Sequence, residues 1–138
     1  MGSDVVSRSF ETWNARDIDA FVACLTEDVT YHVPESIPFG GALTGREAVA
    51  AFAEELFGVF EHLETELDRI VGKGDRVIAD GVHRGRTPDG LVHEVPFRNA
   101  VSLRDGLISE VRQQLDAGLV MRAFASVLAS GTAPEPAR

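Results

Sequence analysis

The sequence predicts one α+β domain, and three observations carry that prediction. Apolar residues recur at helical spacing through the first half, the spacing changes to strand-like alternation after His62, and Gly, Asp and Pro then cut the second half into four strand-length runs. With 138 residues, 44% of them apolar and 25% charged, the chain can close one real core but not two. Residues 1–129 are therefore assigned to a single domain. Residues 130–138, rich in Pro and Ala, are expected to form a flexible C-terminal tail.

Val6, Phe10 and Trp13 form one helical stripe behind Ser3 or Asp4 as N-cap. Asn14 to Asp17 interrupts it, and Asp17 can cap a short second helix with Ile18, Phe21, Val22 and Leu25 inside, ended by Thr26-Glu27-Asp28. Val29 to Val33 alternates and is rich in β-formers, so it reads as a strand closed by Pro34, with a Pro/Gly loop over 34–45. Thr44-Gly45-Arg46-Glu47 has the spacing of a capping box. The helix behind it carries Val49, Phe52, Ala53, Leu56, Phe57 and Phe60, and His62 closes it, where a cation suits the helix dipole. Strands over 63–71, 76–87, 91–104 and 107–116 follow, and their short connections favour an antiparallel meander. A last helix is expected over 117–128.

Composition excludes several functions. Thirteen basic against 22 acidic residues give a formal charge of −9, which repels a phosphate backbone, so no nucleic acid is expected as partner. No apolar run approaches the roughly 20 residues that span a bilayer, and the first residues lack the basic and apolar pattern of a secretory signal; the expectation is a cytoplasmic protein without a membrane partner. Cys24 stands alone on an apolar stretch and reads as a buried thiol. Histidines at 32, 62, 83 and 93 show no ligand spacing, so no metal is expected, and no cofactor is implied.

The stretches Trp13 to Phe21, Asp28 to Pro34, Ile37 to Gly41, Thr44 to Val49 and Arg104 to Ile108, in this order of elements, resemble the SnoaL-like family of the nuclear-transport-factor-2-like superfamily. The resemblance covers about residues 5 to 120. It implies a cone-shaped α+β barrel, cystatin-like, in which a curved antiparallel sheet wraps around a long helix and alternate strand positions line a pocket. It also implies a homodimer through the outer sheet face, where Ile78, Val82, Ile108 and Leu91 are expected among Arg84, Arg98 and Arg112. The scaffold hosts isomerases, cyclases, epoxide hydrolases, ligand carriers and assembly modules, so activity must be argued from the site.

Strand alternation places Val95, Phe97, Asn99, Val101 and Leu103 on one face, which must be the inner one. By the same count Tyr31 lies with Val29 and Val33, His83 with Val77, Ala79 and Gly81, and Gln113 with Val111 and Leu115. Tyr31, His83, Asn99 and Gln113 are thus the candidate polar groups of an apolar pocket, with Trp13 and Phe97 as walls. Asn99 and Gln113 either orient a ligand carbonyl or satisfy each other, and in both cases should be paired.

The chemistries implied by the resemblance fit poorly. Steroid isomerases need a carboxylate, a tyrosine and a protonated aspartate where this chain has Val33, Ser9 and Phe97. The acid of polyketide cyclases falls at or near Gln113. Limonene-type epoxide hydrolases would keep Tyr31 but find Val33, Gln113 and no Arg-x-Asp near Asp80 to His83. A one-residue slip offers Asp116, which strand parity turns outward, and Glu35 is a loop carboxylate near the expected mouth. His83 remains as the acid/base candidate, provided burial does not lower its pKa too far. His32 and His93 are expected at the solvent or the rim. The expected partner is a small apolar, oxygen-bearing molecule such as a polyketide or terpenoid; the rival reading is a non-catalytic binding or dimeric assembly module.

Overall fold

A computed structural model describes residues 2–35, 37 and 40–129, the side chains of 2, 128 and 129 excepted, so the expected tail at 130–138 lies outside the described residues. The elements run α1 (Gly2–Asn14), α2 (Ile18–Val22), β1 (Leu25–Val33), β2 (Gly41–Thr44), α3 (Arg46–Val59), β3 (His62–Lys73), β4 (Arg76–Arg86), β5 (Val92–Arg104), β6 (Leu107–Leu115) and α4 (Ala117–Ala129). The six strands form one curved sheet in the order β2-β1-β6-β5-β4-β3. All neighbours are antiparallel except β1 and β6, which run parallel, and the sheet is not closed into a full barrel. Register shifts in β1, β3 and at Ser102/Leu103 interrupt the ladders, the kind of irregularity that bends a strand.

Local chemistry explains most boundaries. The Ala20 N–H donates to Asp17 Oδ1 at 3.1 Å, so Asp17 caps α2 as its sequence position predicts. Helix α1 begins at Gly2, which puts Ser3 and Asp4 inside its first turn rather than before it. Thr26, Glu27 and Asp28 do not end a helix; they open β1, because the chain turns at Ala23 and Cys24 and Leu25 already pairs with Ile108.

The expected capping box is absent. Thr44 ends the short edge strand β2, paired with Thr30, and Gly45 takes the N-cap position at φ 90° with no side-chain cap bond. Instead, the Arg46 guanidinium donates to the Leu25 carbonyl from Nε at 3.0 Å and Nη2 at 2.6 Å, tying the start of α3 to β1. His62 closes no helix either: α3 stops at Val59, and His62 opens β3 with an exposed ion-pair contact to Glu64 at 3.6 Å. Asp116 caps α4, its Oδ1 accepting from the Leu119 N–H at 3.0 Å, which removes it as a last-strand acid.

Two apolar clusters fill the concave side. One joins α1 and α2 to the middle of the sheet around Val6, Leu25, Val49 and Val77; the other joins α3 and α4 to the sheet's far end around Phe60, Leu63, Phe124 and Val127. Trp13, Tyr31 and Leu43 pack against both. Burying each large side chain contributes about 1.5–3 kcal/mol relative to exposure. Ile108, expected on the outer face, is 2% exposed and belongs to the first cluster, because the bulge at Ser102/Leu103 shifts it to the inner side.

The outer face is laced with ion pairs. Arg98 and Arg69 meet Asp80 at 2.7 and 3.2 Å, and Arg84 bridges Glu94 and Glu66 at 2.6 and 3.1 Å. The Arg98 hydrogen bond holds the Asp80 carboxyl below its usual range. Exposed pairs of this kind contribute little each, but they leave the outer face well solvated.

Candidate functional site

A cavity of about 110 Å3, partly open to solvent, lies between the two clusters. Its polar groups come from strand positions that face one another. Thr65 of β3 stands opposite His83 of β4, and Ala79, Asn99 and Gln113 form one row across β4, β5 and β6. Tyr31 of β1 neighbours Val111, and Trp13 reaches in from the end of α1. Tyr31, His83, Asn99, Gln113 and Trp13 therefore converge on the same cavity, as strand parity predicts.

Phe97 does not. Its side chain is buried and faces inward, but its ring lies beneath the lining, stacked on His83 at 4.3 Å and on Phe10 at 5.6 Å between centroids. His83 and Phe10 present the cavity wall that Phe97 was expected to form, and Phe97 supports them. Gly81 makes room for this ring: a Cβ there would lie 2.8 Å from Phe97 Cε1.

Among the described residues no Asp, Glu, Lys or Arg lines the cavity. His83 is half-buried and lines it, and burial lowers its pKa to about 4, so the imidazole is neutral at pH 7 and a weak base. Burial likewise pushes Tyr31 up to about 12, keeping its hydroxyl protonated. His83 sits in a polar chain: Nδ1 is 2.7 Å from Thr65 Oγ1, and Nε2 is 3.2 Å from Nε2 of the Gln113 carboxamide. Gln113 thus pairs with His83 rather than with Asn99. Asn99 is 3% exposed and its Oδ1 has no partner, contrary to the expectation that both amides are satisfied.

Sequence reasoning missed three contributors. His93 lies on the inner face and lines the cavity with its Nε2 unpartnered. The parity that placed Val95 and Asn99 inside also places His93 there, so the signal was available. Thr65 shares parity with the buried Leu63 and was equally legible. Asn14 was not, since its contact with Thr65 crosses from α1 to β3. Of the other candidates, His32 points outward to Glu110 at 3.0 Å, and Glu35 is exposed and lines nothing in the cavity. Among the described residues no cluster of His, Cys, Asp and Glu could hold a metal ion. No described helix is long and apolar enough to cross a membrane.

The family model described as SnoaL-like domain matches residues 6–111. The chain belongs to the SnoaL-like domain family. No curated protein sequence matches it. Among solved structures, this SnoaL-like domain is similar to a nuclear-transport-factor-2-like protein of unknown function from Burkholderia pseudomallei, with TM-score 0.81 and 21% identity over 88% of this chain and 95% of that one. It is similar to TerC co-crystallised with polyporic acid, with TM-score 0.79 and 20% identity over 93% and 98% of the two chains. A candidate polyketide cyclase from a Silicibacter species gives TM-score 0.72 and 28% identity over 88% and 93%. At 20–21% identity the first two establish the fold alone.

Proposed function

We propose that this SnoaL-like domain binds a small, uncharged, largely apolar molecule that carries oxygen, of polyketide or terpenoid kind. The observation that carries this reading is an apolar cavity into which Tyr31, His83, Asn99 and Gln113 converge without a charged side chain among the described residues of its walls. Likeness to a candidate polyketide cyclase at 28% identity supports the polyketide side of this reading. A buried charge on the ligand would find no countercharge, whereas hydroxyl and carbonyl groups would meet neutral donors and acceptors. Any acid-base chemistry would centre on His83. The second reading, a non-catalytic binding module, is favoured by the lack of a carboxylate among the described residues of the cavity and by the low basicity of His83.

A thermal-shift screen of uncharged aromatic and terpenoid alcohols and ketones tests the proposal, because a compound that binds only the folded state must raise its melting temperature. Hits are expected to lose affinity for Asn99→Leu, while the free variant melts no lower than the parent. That variant removes a buried carbonyl whose lack of a partner costs about 1–3 kcal/mol. Hits that bind Asn99→Leu as tightly as the parent, or a screen in which only anions stabilise, would exclude this cavity as the binding site.

The outer sheet face is proposed as the surface of a homodimer, with half-buried Ile78 and Val82 set among the ion pairs of Asp80 and Arg84. Sedimentation at micromolar concentration should give twice the single-chain mass, and Val82→Lys should halve it. A parent protein that sediments at the mass of one chain removes this proposal.

A further inference from the structure

We propose that His83 offers the cavity a hydrogen-bond donor, Nε2–H, aimed at a ligand carbonyl oxygen, and that the exposed Asn14, acting through Thr65, holds the ring in that tautomer. The ligand half rests on the cavity reading above; the tautomer half does not.

The argument is an accounting of protons. Thr65 is 5% exposed, and among the described residues its hydroxyl meets only His83 Nδ1, at 2.7 Å. If the ring N–H donated to Thr65, the threonine proton would find no acceptor among the described residues. If the hydroxyl donates to Nδ1, both its proton and the ring lone pair are satisfied. The distance agrees, since 2.7 Å is the usual length for an O–H donor and short for an N–H donor. With Nδ1 accepting, a neutral imidazole carries its proton on Nε2. The Gln113 atom 3.2 Å away is the carboxamide Nε2, a donor, so this tautomer requires the carboxamide to turn over and present its oxygen to the ring, which the like shape of its two ends allows.

Asn14 explains why Thr65 keeps its place. β3 is an edge strand, so on the side away from β4 its backbone groups have no strand neighbour. The Asn14 carboxamide substitutes for one: Nδ2 donates to the Thr65 carbonyl and Oδ1 accepts from the Thr65 N–H, both at 2.8 Å. Asn14 is thus a positioning residue that never touches the cavity. The consequence is chemical. The basic nitrogen of His83 is turned to Thr65, so the ring cannot easily accept a ligand proton, while its Nε2–H can polarise a ligand carbonyl. The Gln113 contact at 3.2 Å is long enough for a better acceptor to displace it. The substrate class this donor favours is a neutral compound that presents an oxygen acceptor, a carbonyl above all.

Long-range 1H–15N correlation spectra of the full, labelled chain at pH 7 test this, with His83→Gln assigning the signals. The expected pattern is a protonated Nε2 and a pyridine-type Nδ1. Thr65→Val and Asn14→Ala should convert the ring to a mixture of tautomers, and Thr65→Ser should restore the parent pattern. An unprotonated Nε2 in the parent overturns the proposal without relying on any variant, and so does a Thr65→Val spectrum identical to it. For the ligand half, acetophenone should bind about fivefold tighter than the isosteric isopropylbenzene and shift the Nε2 signal. Equal binding of the two overturns that half and leaves the cavity reading standing. Binding of neither removes both, while the nitrogen signals still decide the tautomer.

Discussion

Between pH 6.5 and 4 the protein will lose about 3 kcal/mol of stability through His83 alone. The imidazole has an ordinary pKa of 6.5 in the unfolded chain and about 4 in the folded one, because the apolar cavity cannot solvate its cation. Above 6.5 both states carry it neutral, and burial exacts no protonation penalty. As the pH falls below 6.5 the unfolded chain takes up a proton that the folded chain refuses, so stability declines with acid until the folded pKa is reached. The window follows from the separation of the two values, at about 1.4 kcal/mol per unit.

Asp28, Asp80, Asp89 and Glu110 are all held below their usual range by hydrogen bonds, led by those to Arg104, Arg98, Thr87 and His32 respectively, so their losses come at lower pH. The relevant measurement is therefore a difference: urea unfolding of parent and His83→Gln at pH 7, 6, 5 and 4. The advantage of the parent should shrink by about 3 kcal/mol across this range and then reverse in sign if the glutamine packs well. A difference that stays constant with pH would mean that the ring is solvated, and the neutral-donor role would go with it.

How far the sequence discloses such a site depends on what kind of contact makes it. The meander was legible because alternation and turn chemistry are local: Gly74, Gly90 and Gly106 all stand at positive φ in the connections where they were expected. Alternation also brought Tyr31, His83, Asn99 and Gln113 to one cavity, since a strand fixes the side of every residue once one is known to be buried. Failures came where a non-local contact outweighed a local motif. Thr44 and Glu47 have capping-box spacing, but pairing of Thr44 with Thr30 draws it into β2 and leaves Gly45 at the cap. Ile108 follows strand parity until the bulge reverses it. Phe97 has the right parity and the wrong depth, because its place is set by rings on β4 and α1 that its own strand does not reveal.

That depth makes Gly81 the most sensitive small residue of the site. A methyl group there would lie 2.1 Å from the Glu66 carbonyl oxygen and 2.8 and 3.0 Å from two Phe97 ring carbons. Neither neighbour can yield cheaply. The carbonyl is backbone of β3, beside the register shift at Leu67/Arg69, and Phe97 is confined between the rings of His83 and Phe10. Overpacking of a closed core typically costs about 1–3 kcal/mol, and a contact with immovable backbone belongs at or above the top of that range. Gly81→Ala is thus expected to lose about 3 kcal/mol or more in urea unfolding and to abolish the ligand-induced rise in melting temperature, since His83 must move with Phe97. Gly58→Ala supplies the opposite control: it makes the same change on an exposed turn of α3 with no heavy atom within 4 Å, and should stabilise by about 0.5–1 kcal/mol. Adding Phe97→Leu to Gly81→Ala should recover only the ring's share of the loss, because the Glu66 carbonyl stays where β3 holds it. A Gly81→Ala protein within about 0.5 kcal/mol of the parent would show that β3 and β4 slide freely here, and a histidine mounted on so loose a wall could not present a fixed donor.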